Sequence, residues 1–127
     1  MDNSQNLANL PSPLALAYLG DARHALFIRR LLVSRGLSRS GELNREALKY
    51  VTAEAQAEAY LRIEDRLNED ERAMFGYASN STHLNKPKHA SGKEYRTATG
   101  FEAVIGMLDY LGNQDRIEEL LTLAHGG

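Results

Sequence analysis

Two carboxylates stand where a helical chain does not readily place charge. Asp21 follows Gly20 in a segment whose apolar residues Leu14, Tyr18, Ala25, Ile28 and Leu32 fall on one bearing at helical spacing. Glu102 lies at the edge of a second apolar face, made by Phe101, Val104, Ile105, Leu108 and Leu111, with Ala98, Thr99, Ala103 and Gly106 on its other side. A carboxylate in an apolar stripe needs an ion pair, hydrogen bonds or a cation. Gly20 costs about 1 kcal/mol relative to Ala within a helix, so its presence implies that another backbone or a ligand comes close. The small residues beside Glu102 would admit a neighbouring helix, and Glu102 could then face Asp21 across a helix pair. Asp109 follows two turns on, at nearly the same bearing.

Carboxylates converging from separate helices suit a hard divalent cation. Mg²⁺ takes one or two carboxylates and fills its remaining positions with water and phosphate oxygens. A cation so held acidifies water and neutralises charge on a phosphodiester during in-line attack. The plainer alternative pairs Asp21 with a nearby arginine and leaves Glu102 a solvated edge residue. Spacing alone keeps both open, and structural ion pairs are the commoner arrangement.

The elements that must position these groups are helical. Ser12, between Pro11 and Pro13, caps a long helix reaching about Arg35, where Gly36 stops it. A second helix runs from Ser40 to about Tyr50, and Thr52 caps a third over Ala53 to Leu67. Asn68 caps a short fourth through about Ala78, with Glu69, Asp70 and Glu71 at its positive end. Residues 79–93 contain one large aliphatic residue and make the longest loop, of a length often functional or disordered. A fifth helix spans about Glu94 to Leu111 before Gly112, and a sixth Gln114 to about Ala124. No strand-like alternation of useful length occurs. The expected fold class is all-α.

Composition narrows the function classes. The chain has 127 residues, 43% of them hydrophobic and 25% charged, enough for one core and an ordinary globular balance. Without cysteine there are no disulfides, thiolate metal sites or thiol nucleophiles. No apolar stretch approaches the roughly 20 residues that cross a bilayer, and Met1 to Leu10 lacks a signal peptide's basic and apolar regions. A cytoplasmic location is the expectation. Net charge is −2, against a uniformly basic nucleic-acid binder. Cations nonetheless cluster: Arg23, Arg29, Arg30, Arg35 and Arg39 against Asp21, then Lys86, Lys88, Lys93 and Arg96 against Glu94. A phosphate backbone responds to such local patches rather than to the total. His83 and His89 lack a third convergent ligand and are read as loop residues. No serine nucleophile motif and no phosphate-cradling glycine loop is present.

The same residues carry a family resemblance. Leu14-Ala-Leu-Ala-Tyr-Leu-Gly-Asp-Ala22 resembles the signature helix of RNase III domains, in the form used by the short Mini-III branch. Leu43 to Ala57 is similar to the second helical region of Mini-III enzymes, Glu94 to Thr99 to the lead-in of the closing catalytic helix, and Phe101-Glu-Ala-Val-Ile-Gly106 to that helix itself. The likeness is collinear over roughly residues 12–123. It implies that Asp21 and Glu102 are the catalytic, metal-holding residues, with Mg²⁺ as cofactor. Full-length RNase III proteins have further acidic residues where this chain has Leu14, Ala17 and Thr99, a reduction similar to that in Mini-III. After Gly-Asp-Ala the branch tends toward aliphatic and aromatic residues, whereas Arg23 and His24 stand here. Its basic segment before the long loop is replaced by Tyr77-Ala-Ser-Asn-Ser-Thr82.

The resemblance further implies a homodimer that cleaves double-stranded RNA to 5′-phosphate and 3′-hydroxyl ends, in maturation of large-subunit precursor ribosomal RNA. A-form RNA is read mainly by shape, through phosphates and 2′-hydroxyls. Lys86, Lys88, Lys93 and Arg96 suit that task, with Asn80 and Ser81 among the neutral donors to sugar and phosphate. The expected organisation is a frayed lead-in over 1–11 and one RNase III-like domain of about six helices over 12–127, without an accessory double-stranded-RNA-binding domain. A non-catalytic RNase III-like scaffold, binding RNA or a ribosome-assembly partner, is the alternative. A helical protein-interaction module without RNA is a third reading.

Overall fold

Local capping chemistry starts most of the helices. The Ser12 hydroxyl accepts from the Ala15 N–H at 3.1 Å, and Pro13 occupies the first turn, where no N–H is needed. Thr52 accepts from Ala55, and Asn68 and Glu71 form a reciprocal capping box. The computed structural model describes residues 9–81 and 92–126. Among them lie six α-helices: α1 Pro13–Ser34, α2 Ser40–Val51, α3 Ala53–Ile63, α4 Glu69–Asn80, α5 Gly92–Tyr110 and α6 Gln114–His125. The described residues contain no strand, so the all-α expectation holds. Gly36 and Gly112, at φ 88° and 79°, adopt the left-handed conformation that ends α1 and α5.

The third helix is shorter than its pattern suggests. It stops at Ile63, and a 3₁₀ turn over Glu64–Arg66 redirects the chain so that Leu67 packs into the same core as Ile63. Of the expected lead-in, residues 1–8 lie outside the described residues. Leu10 packs partly against the group formed by Leu16, Ala17, Met74, Ala78, Ala103 and Met107.

α5 is the central element, in contact with α1, α3, α4 and α6. It is buried from Ala98 to Leu108 at every position except Glu102. α1 is buried along Leu16, Ala17, Gly20, His24, Ile28 and Leu32. Leu14, Tyr18, Leu26 and Val33 of the same helix are exposed, and Leu19, Phe27 and Leu31 are half-buried. α1 thus presents that line to the core, with Phe27 packed partly against it, and leaves an apolar flank open.

One long-range pair fastens the far side of the bundle. Glu71 is fully buried, and Arg116 grips it with Nε at 2.9 Å and Nη2 at 2.8 Å while also donating to the Arg66 carbonyl. The carboxylate thus both caps α4 and ties α6 to it, with its charge matched inside the fold.

Candidate functional site

α1 and α5 cross at reciprocal glycines. A Cβ on Gly20 would overlap the Glu102 carbonyl, and one on Gly106 would overlap the Leu16 carbonyl. Only Cα atoms that carry no Cβ allow two backbones this close. The crossing fixes the site, because Asp21 follows Gly20 and Glu102 supplies the carbonyl that Gly20 touches. Their side-chain carboxyls come within hydrogen-bonding reach of each other. The expected helix pair is therefore present, and its cause is the glycine contact.

The environment of the pair differs from the wheel-based expectation in one respect. Asp21 is exposed, lying on the open flank of α1 with Leu14 and Tyr18, and Glu102 is the more enclosed partner. Asp21 forms no ion pair among the described residues. Arg23, the arginine nearest in sequence, turns away: its Nη2 meets Glu118 at 2.8 Å and its Nε donates to Gln114 at 3.0 Å. Asp109 likewise accepts from Gln114 at 2.9 Å, with Arg23 Nε 4.0 Å away, and so belongs to that α1–α5–α6 cluster.

Burial raises the Glu102 pKa to about 8, helped by the hydrogen bond and the negative charge of Asp21 and opposed by a hydrogen bond from Gln56. A proton shared between the two carboxyls relieves their repulsion, and so would a cation between them. The donor set fits a hard cation taking two carboxylate ligands and otherwise water or phosphate oxygen. No cluster of three or more acidic, histidine or cysteine ligands exists among the described residues.

Behind Glu102 lie polar groups that sequence spacing did not single out. Gln56 Nε2 donates to Glu102 Oε2 at 3.2 Å and lies 3.3 Å from His24 Nδ1, and His24 Nε2 lies 2.9 Å from His125 Nε2. Gln56 and His24 are buried. The signal was available: Gln56 precedes Ala59, Tyr60 and Ile63 on the buried face of α3, and His24 continues the Leu16, Gly20, Ile28, Leu32 line. Burial keeps both histidines neutral, lowering His24 to about 3, with His125 adding to the effect, and His125 to about 4, with Arg62 adding.

Four of the six candidate RNA contacts are described, at the end of α4 and near the start of α5. Lys86 and Lys88 lie outside the described residues. Lys93 and Arg96 are exposed near the start of α5. Arg96 lies about 9 Å along the helix from Glu102 and roughly a third of a turn around it. Asn80 and Ser81 are exposed at the end of α4, where the Ser81 hydroxyl donates to the Tyr77 carbonyl at 2.7 Å.

Comparison with known proteins identifies relatives of the whole fold. Residues 14–113 match the family described as Ribonuclease III domain. The chain is 41% identical over 119 residues to a Mini-ribonuclease 3 of Symbiobacterium thermophilum, covering 94% of this chain and 91% of that one. It is 40% identical over 116 residues to a Mini-ribonuclease 3 of Streptococcus pneumoniae, covering 90% and 91%. A crystal structure of a Fusobacterium nucleatum protein superposes with a TM-score of 0.81 at 30% identity, over 88% of this chain and 89% of that one. This chain belongs to the RNase III domain family, in its Mini-ribonuclease III branch.

Proposed function

We propose that the protein is a Mg²⁺-dependent endoribonuclease that cleaves double-stranded RNA to 5′-phosphate and 3′-hydroxyl ends. The observation that carries this reading is the meeting of Asp21 and Glu102 at the Gly20–Gly106 crossing. Both would hold the cation, Asp21 from the open flank and Glu102 from the enclosed side. A cation held there would supply positive charge to the phosphodiester and would lower the pKa of a water bound to it. Glu102 must release its proton to take part, so the pair would exchange a single proton for a doubly charged cation. The enclosed side of Glu102, backed by Gln56, fixes one ligand while exposed Asp21 leaves room for a phosphate to approach.

Lys93, Arg96, Asn80 and Ser81, together with Lys86 and Lys88, would hold the duplex through phosphate and sugar contacts, which position RNA without reading its sequence. The protein would act as a homodimer in the cytoplasm, each protomer cutting one strand. Exposed Leu14 and Tyr18, on the flank that bears Asp21, support a partner protomer there. Precursor ribosomal RNA of the large subunit is the proposed natural substrate.

The test is cleavage of end-labelled duplex RNA in Mg²⁺ by the parent, Asp21→Asn and Glu102→Gln. The parent is expected to cut. Each variant should lose more than the roughly 10–100-fold that follows removal of an outer-shell partner. Binding of RNA without cutting by the parent would favour the scaffold, and equal cutting by all three would place the chemistry elsewhere.

A further inference from the structure

A run of hydrogen-bonded side chains leads from Glu102 through α3 and α1 to the last turn of α6. A carboxylate that holds a cation can only accept hydrogen bonds, so Gln56 must turn its amide NH₂ toward Glu102 Oε2, 3.2 Å away. The second hydrogen of that NH₂ points to His24 Nδ1 at 3.3 Å, which makes Nδ1 the acceptor and puts the ring proton on Nε2. His24 Nε2 then donates to His125 Nε2 at 2.9 Å, leaving the His125 proton on Nδ1. One consistent set of donors thus runs through three residues. Aromatic edges hold the ring planes: Phe101 meets His24 at 5.4 Å and 85°, and Tyr50 meets His125 at 5.4 Å and 82°.

Apolar side chains could fill this space without needing partners, and such replacement of buried polar groups is often neutral or stabilising. The polar set therefore has a use beyond packing. We propose that Gln56 is a positioning residue for Glu102, and that His24 and His125 lock its amide so that the end of α6 sets the cation affinity of the site. The inference rests on the reading that Asp21 and Glu102 hold a divalent cation. It adds residues that touch neither cation nor RNA and act through Glu102 alone.

Three measurements on four proteins test it: Mn²⁺ binding followed by electron paramagnetic resonance, the Mg²⁺ concentration for half-maximal duplex cleavage, and the melting temperature. The proteins are the parent, Gln56→Leu, His24→Phe and His24→Asn. Gln56→Leu should weaken Mn²⁺ binding roughly tenfold and His24→Phe roughly threefold, with matching rises in the Mg²⁺ requirement and melting temperatures near the parent's. His24→Asn offers Oδ1 where Nδ1 stood, and should keep the parent's Mn²⁺ affinity even where it melts lower. Mn²⁺ affinities equal to the parent's in Gln56→Leu and His24→Phe, or affinities that merely follow melting temperature, overturn the relay while a parent that binds and cleaves keeps the nuclease reading. A parent that binds no Mn²⁺ and cuts no RNA overturns both.

Discussion

When both are ionised, Asp21 and Glu102 repel each other, and the buried side of Glu102 has little water to screen that repulsion. The metal-free protein responds by protonating Glu102, which titrates near 8 rather than at its ordinary 4.5. Between those values the folded chain holds a proton that the unfolded chain lacks. This contribution to stability is full below 4.5 and is lost as pH rises through 8. His24 and His125 act with the opposite sign. Both are neutral when folded, at about 3 and about 4, and ordinary at 6.5 when unfolded. Their contribution is present above 6.5 and is lost as pH falls through 4 and 3. Glu102→Gln removes the first slope, so its melting temperature in EDTA should fall steadily from pH 7 to 4. Adding His24→Phe should make that fall shallower, and an unchanged profile would contradict buried neutral histidines. At this scale the sequence shows which residues are acidic and which lie on apolar lines. It does not show that Asp21 faces outward, because exposure depends on what covers α1, and a wheel carries no information about neighbours.

Gly20 and Gly106 make the same point at the level of helices. A glycine inside each apolar helix was readable as a close approach, and the small residues around Glu102 indicated which helix would come near. That the two glycines interlock is a property of the crossing, which neither segment states alone. Gly20→Ala should cost at least the upper end of the roughly 1–3 kcal/mol typical of overpacking, because backbone rather than a side chain must yield. It should also separate the carboxyls and reduce cleavage. Gly41→Ala is the control: nothing lies within 4 Å of the added methyl, and α2 should gain up to about 1 kcal/mol. Denaturant unfolding of both variants checks the contrast. Boundaries were legible wherever a cap residue wrote them, as at Ser12, Thr52 and Asn68. The end of α3 was not, because the pull of Leu67 into the core is tertiary. The Glu71–Arg116 pair was hidden too, since the capping role of Glu71 gave no sign of a partner 45 residues away.

For the whole molecule, the net charge of −2 conceals exposed cations at Arg29, Arg30, Lys93 and Arg96. Arg23, counted with them from sequence, is neutralised by Glu118 and should contribute little to RNA attraction. Lys93→Ala and Arg96→Ala should weaken binding of duplexes of any sequence alike, each lowering the slope of log affinity against log salt by roughly 1. Filter binding across a salt series checks this, and an unchanged slope would remove α5's start from the RNA surface. No described helix is long and apolar enough to cross a membrane. The most direct test of the account is anomalous diffraction from crystals grown with Mn²⁺. A peak between the carboxyl groups of Asp21 and Glu102, absent in Glu102→Gln, is the expected result. Density placing the two carboxyls in direct hydrogen-bonding contact at saturating Mn²⁺, with no anomalous peak between them, would contradict it.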